Sequence, residues 1–178
     1  MVEELSRNCL KVDNIVIKTT RHTPGMAEMG HVGFGNKLHM FTYQNEIEML
    51  LRLRPFDRVP NLIESSPTAL TISMTYCGEQ INKSNLPKDW VDQMTYILES
   101  LRKYDVSHND IKPSDILVYN NKLMLVDFGW ATIRREEIPE DWPVSIGSEF
   151  RYGVKAFNDS YSFMRSVQHI INKELNEV

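Results

Sequence analysis

Apolar residues recur at three- and four-residue steps in three stretches of this chain. Over residues 41–54, Tyr43, Ile47, Leu50, Leu51 and Leu53 form one helical stripe. Arg54-Pro55 ends it, because the residue before a proline is pushed out of helical geometry. Residues 88–104 give the clearest helix, with Val91, Met94, Ile97, Leu98 and Leu101 on one face and Asp89 as N-cap. A third runs from Ser160 to Leu175 through Phe163, Met164, Val167, Ile170 and Ile171. Shorter runs read as strands. Residues 7–20 predict a hairpin that turns at Asp13-Asn14 and continues as Ile15-Val16-Ile17, ending on Lys18. Val59–Ile63 and Ala69–Met74 predict two strands across a Ser65-Ser66-Pro67 turn. Ile116–Tyr119 and Leu123–Val126 predict a second hairpin, turning at Asn120-Asn121. Residues 20–37 hold four glycines and a proline without periodicity and read as a long loop.

Composition narrows the picture. A chain of 178 residues makes one ordinary domain or two small lobes around a cleft. With 42% hydrophobic and 25% charged residues it has material for a sizeable core. A formal charge of −4 argues against nucleic acid or an anionic membrane as the default partner. Cys9 and Cys77 lie far apart without metal-ligand spacing, so they read as free thiols of a reducing compartment. The N-terminus has no apolar core typical of a signal peptide, and no run approaches the length of a membrane span. A cytoplasmic location is expected. His22, His31 and His39 lack the spacing of a metal set.

The chemistry concentrates in residues 108–129, HNDIKPSDILVYNNKLMLVDFG. Asp110 and Asp127 fall in loops at the two ends of the Ile116–Val126 hairpin, so both should face one space. Paired carboxylates there suit a divalent cation and a proton taken from a hydroxyl. This stretch resembles the catalytic and metal-binding loops of the eukaryotic-type protein kinases. His108, Asp110, Lys112, Pro113, Asp127, Phe128 and Gly129 stand in the matching positions. The resemblance implies an α+β, two-lobed kinase-like fold: a small β-rich lobe over residues 1–74, a hinge at 75–78, and a truncated helical lobe over 79–178. Lys18, by itself an ordinary strand-edge lysine, becomes the residue that holds the ATP phosphates. Glu46, by itself a solvated helix residue like Glu48, becomes its ion-pair partner. The Thr75 carbonyl and the Cys77 amide become adenine contacts, with Met74 lining the back of that pocket. Asp127 is implied to ligate Mg²⁺ or Mn²⁺, Asp110 to orient the incoming hydroxyl, and Lys112 to stabilise the phosphoryl group in flight. Asp159 is implied to brace the catalytic-loop backbone.

The chain also departs from the kinase pattern. The glycine-rich loop that precedes the lysine strand is missing or replaced. Gly30-His31-Val32-Gly33-Phe34-Gly35 comes after Lys18, as a mobile insertion or as a flap over a nucleotide. Asp115 stands where kinases carry a metal-binding asparagine, and it offers the metal an oxygen with added charge. Asn109 replaces the arginine that reads a phosphorylated activation segment, so activity should not depend on such a phosphate. Gly147-Ser148 resembles the small pair before the substrate-docking turn, but no A-P-E motif follows. Nothing resembles the helices that follow the Ser160–Leu175 helix in kinases. The resemblance thus implies a reduced Ser/Thr protein kinase that uses ATP and Mg²⁺ or Mn²⁺ on a protein substrate. A weak or inactive kinase-like module that binds nucleotide or a regulatory partner is an alternative, as is a small-molecule kinase. The sequence leaves the substrate and the oligomeric state open.

Overall fold

The computed structural model describes residues 2–6, 8–20, 34–133 and 158–173. Among these, β1 (Val2–Ser6), β2 (Cys9–Val12) and β3 (Ile15–Thr19) lead to the long helix α1 (Phe34–Arg52). Next come β4 (Leu62–Ser66), β5 (Thr71–Thr75) and the short β6 (Glu79–Gln80). Helix α2 (Trp90–Lys103), β7 (Val106–Ser107), β8 (Ile116–Tyr119), β9 (Lys122–Leu125), β10 (Thr132–Ile133) and α3 (Asp159–Lys173) complete the order. The first five strands form one antiparallel sheet in the order β1-β2-β3-β5-β4, with α1 packed against its β5 and β4 side. The second lobe carries α2, α3 and two small sheets, β6-β8-β9 and β10-β7. This is the expected α+β, two-lobed arrangement. The two lobes share one apolar core in which Leu50, Leu53, Ile72, Ile97, Phe128 and Phe163 are fully buried.

Several boundaries moved, each for a physical reason. Helix α1 begins at Phe34, inside the stretch read as loop, and ends at Arg52. Gly35 lies in its first turn, where amides make no intrahelical bond and a glycine does little harm. Glycine carries no hydrophobic signal, so the period is blurred over this first turn. Strand β4 runs from Leu62 to Ser66, later than the predicted Val59–Ile63. Pro60 cannot donate to a ladder, and Arg58 is spoken for elsewhere, its carbonyl accepting from Leu125 N at 2.8 Å. Pairing with β5, Leu62 opposite Met74 and Ser66 opposite Thr71, sets the register. Strand β1 was not predicted, because all five of its residues are exposed and no face alternates. In α2, Asp89 occupies the cap position without capping; its carboxylate accepts instead from Gln93 Nε2 at 2.9 Å. Val91, assigned to the apolar face, is 47% exposed, and Gln93 is buried in its place. Among the described residues no helix is long and apolar enough to cross a membrane. The expectations for His22, His31, Gly30–Gly33, Gly147-Ser148 and the polar stretch from Arg134 onward lie outside the described residues.

Candidate functional site

The β8–β9 hairpin works as the sequence suggested. Asn120 and Asn121 both take positive φ, 50° and 61°, which is the backbone of a two-residue primed turn. Four paired positions, from Ile116 opposite Leu125 to Tyr119 opposite Lys122, then bring the loops at its two ends together. Gln93, which sequence reasoning passed over, pins this hairpin to α2. Its Oε1 accepts from Leu123 N at 2.8 Å and from Arg58 Nη1 at 2.9 Å, and its Nε2 donates to Asn121 O at 3.0 Å. A buried glutamine with all its groups engaged belongs to no apolar pattern, so periodicity could not have flagged it.

Before the hairpin, the loop at His108–Lys112 is held from outside by α3. Asp159 accepts from the backbone amides of His108 at 2.7 Å and Asn109 at 2.9 Å. His108 is fully buried beneath Phe128, ring centroids 4.8 Å apart. Its Nδ1 accepts from Asp110 N, so its Nε2 carries the proton and donates to Val126 O at 2.9 Å. Burial pulls its pKa down against the pull of Asp159 and Val126, and it stays neutral. The imidazole therefore acts as a strut between the two loops.

Two lysines organise the acidic residues. Lys18, on β3, donates to Glu46 Oε2 of α1 and to Asp127 Oδ1, both at 2.7 Å. Glu46 is buried with only 1% of its side chain exposed, so the helix residue expected to pair with Lys18 does so. Burial alone would lower the Lys18 pKa, but Asp127 and Glu46 raise it above the ordinary value. Lys112 donates to Asp110 Oδ2 at 2.8 Å and to Asp115 Oδ2 at 3.0 Å, and stands 4.0 Å from Asp127 Oδ2. Asp127 thus joins the two lysines. Burial would raise its pKa, but Lys18 and Lys112 hold it well below the usual carboxylate range.

Asp115 closes the 3₁₀ turn Pro113–Asp115. It accepts from Lys112 N at 3.3 Å and from Ser114 Oγ at 2.9 Å, while its own amide donates back to Lys112 O at 2.9 Å. Burial pushes its carboxyl up to about 8, against the Lys112 ammonium beside it. Two ammonium groups face four carboxyls across this cluster, and burial pushes two of these, Glu46 and Asp115, toward their protonated forms. Among the described residues no three His, Cys, Asp or Glu side chains converge as ligands of one ion. The lysines stand between the acids instead.

Thr75 and Cys77 lie on the crossover between lobes. Thr75 ends β5, opposite Ile15 of β3, and Cys77 is buried with its thiol donating to Thr75 O at 3.7 Å. Burial pushes the Cys77 thiol up to about 12. Met74 is buried beside them. Gly78 follows with φ +98°, and a Cβ there would strike the Val118 backbone, so the crossover needs glycine at this point. An open recess of about 700 Å³, lined by Ser84, Leu86, Lys88, Val118 and Asn121 among others, includes none of these residues.

No protein-family model matches the chain. A stretch of 53 residues, 29% of the chain, is 40% identical to the Aurora kinase of Saccharomyces cerevisiae and spans 14% of that protein. The structure of the Cydia pomonella granulovirus kinase PK-1 matches over 93% of this chain, with a TM-score of 0.60 and 16% identity. The chain spans 63% of that kinase. At that identity the likeness concerns the fold, which is protein kinase-like.

Proposed function

We propose that this chain transfers the terminal phosphoryl group of ATP to serine or threonine hydroxyls of a protein substrate. The observation that carries the reading is the meeting of Lys18, Glu46, Asp110, Lys112, Asp115 and Asp127 in one cluster assembled from both lobes. In this reading Lys18, held by Glu46, receives phosphate oxygens, Asp110 accepts the hydroxyl proton, and Lys112 balances charge on a phosphoryl group in transit. The excess of carboxyls over ammonium groups fits a divalent cation, with Asp127 and Asp115 as the oxygens that would hold it, Asp115 giving up its proton on binding. Mg²⁺ or Mn²⁺ would neutralise phosphate charge there and would compete with Lys112 for the same carboxylates. Adenine would lie against Thr75 and Cys77, at a division between lobes 1–74 and 79–178. The two free thiols accord with a cytoplasmic, reducing setting.

Incubation with labelled ATP, Mg²⁺ or Mn²⁺ and a generic protein substrate tests this directly. Label should appear on serine or threonine and vanish in Asp110→Asn. A chain that gains thermal stability with ATP and metal but transfers no label would be a nucleotide-binding module. Label that appears only on a small hydroxylated molecule would place it among small-molecule kinases. No thermal shift at millimolar nucleotide would reject all three readings.

A further inference from the structure

Asp127 sits at φ 68° and ψ 66°, a left-handed backbone that a non-glycine residue keeps only when its surroundings insist. The 3₁₀ turn that follows, Phe128–Trp130, exposes a row of carbonyls that no helix or strand satisfies in full. Two asparagines from different elements converge on that row. Asn45 of α1 directs its Nδ2 at Phe128 O, Gly129 O and Ala131 O, at 3.3, 3.0 and 2.7 Å. Asn109, in the loop after β7, donates from Nδ2 to Trp130 O and to Thr132 Oγ1, each at 3.0 Å. Only a donor is tolerable at Asn45, since an oxygen facing three carbonyls would be repelled by all of them.

We propose that Asn45 and Asn109 are positioning residues whose amides grip the carbonyls that follow Asp127, Asn45 sharing two hydrogens chiefly between Gly129 O and Ala131 O and Asn109 holding Trp130 O, and so hold the Asp127 carboxylate against Lys18. Asn45 directly precedes Glu46 in α1. One turn of helix therefore grips Lys18 through Glu46 and the backbone beyond Asp127 through Asn45. The path from α1 through Lys18 to Asp127 and back through Asn45 is a closed circuit, which over-determines the Asp127 backbone. Asn109 braces the other side, and its own φ of 68° is one that asparagine tolerates well. Because both clamps are neutral amides, the carboxylate is placed without any added charge.

The test compares Asn45→Ala, which removes the donor, with Asn45→Asp, which keeps the shape and turns the donor into an acceptor. The first readout is amide hydrogen exchange over residues 128–133. It should rise by at least about tenfold in Asn45→Asp, and no less than in Asn45→Ala, while α2 stays protected. The second readout rests on the phosphoryl-transfer reading. The Mg²⁺ concentration for half-maximal transfer should rise about tenfold, because a misplaced Asp127 binds metal more weakly. A protein that had merely lost stability would keep its metal requirement. Asn109→Asp, which retains tolerance of positive φ, should repeat the exchange effect if an Asn45 variant fails to fold. If Asn45→Asp is milder than Asn45→Ala, or leaves exchange at 128–133 unchanged, the side chain only fills space and the clamp is wrong. If the parent transfers no phosphoryl group, exchange alone decides the clamp and the loss falls on the proposed activity.

Discussion

The two lysine clusters look alike chemically and differ in what they do for the molecule. Lys18 draws its partners from 28 and 109 residues away, joining a strand, a helix and a distant loop. The acids closest to Lys112 are two and three residues along its own loop. The Lys18 side chain is 17% exposed and its partner Glu46 1%, whereas Lys112 is 29% exposed. The first cluster is therefore a cross-link of the tertiary structure, and the second is a local charge arrangement within one loop. The acids around Lys112, Asp110 and Asp115, are nearly as buried as Glu46, so the clusters differ in reach rather than in burial: removing Lys18 unties three distant elements, whereas removing Lys112 leaves its acids within one loop that can readjust.

The largest effect should come from the cross-link. Lys18→Met strands the buried Glu46 carboxylate and should lower the unfolding free energy by about 3 kcal/mol. Lys112→Met leaves Asp110 and Asp115 buried without their partner, but within one loop where Asp115, pushed up to about 8, can hold a proton, so it should cost less, about 2 kcal/mol. Urea titration of both variants measures this, and equal losses would break the distinction. Adding Glu46→Leu to Lys18→Met should restore part of the loss, since an apolar pair can replace a buried ionic one.

On the proposed phosphoryl-transfer reading, activity should separate the clusters in a different way. Lys112→Met should reduce phosphoryl transfer about a hundredfold while leaving the nucleotide-induced rise in Tm within about a degree of the parent's. Lys18→Met should lose most of that rise. A Lys112 variant that transfers at the parent's rate would make its cluster structural after all.

The third effect lies outside both clusters and serves as their reference in base. Cys77 has a folded pKa raised from 9.0 to about 12 by burial. A raised pKa means that the folded state holds the proton longer. Its stabilising contribution is therefore complete below pH 9 and lost as pH climbs toward 12. The slope is at most about 1.4 kcal/mol per pH unit. Lys18 and Lys112 are held above their ordinary 10.5, so they keep their charge through the lower part of that window. Between pH 9 and 10.5 the parent should lose stability that Cys77→Ala retains, and denaturant melts at half-unit steps would show it. Identical slopes would mean that the crossover opens before the thiol ionises.

What was legible in the chain follows the same line as the two clusters. Asp110 and Asp127 could be read directly, because the Asn120-Asn121 turn fixes the hairpin and the hairpin brings both to one end; Lys112 and Asp115 were marked only by the likeness to protein kinases. The Lys18–Glu46 pair could be reached only through the likeness of residues 108–129 to protein kinases; a lysine ending a strand and a glutamate on a helix carry no mark of each other. Strand β1, the register of β4 and the start of α1 were missed where exposure, a proline or glycines blurred the periodic signal.

By itself the sequence determined what short-range geometry can carry: two of three helices nearly to their ends, the hairpins at Asp13-Asn14 and Asn120-Asn121, and the acids those turns gather. Tertiary structure decided the rest. It chose which strand registers with β5, brought Glu46 under Lys18, buried Gln93 in place of Val91, and set Asn45 and Asn109 against the carbonyls of residues 128–131. These choices depend on partners tens of residues away, whose approach is fixed only when the core closes. A polar side chain satisfied at such a distance leaves no period in the chain to read.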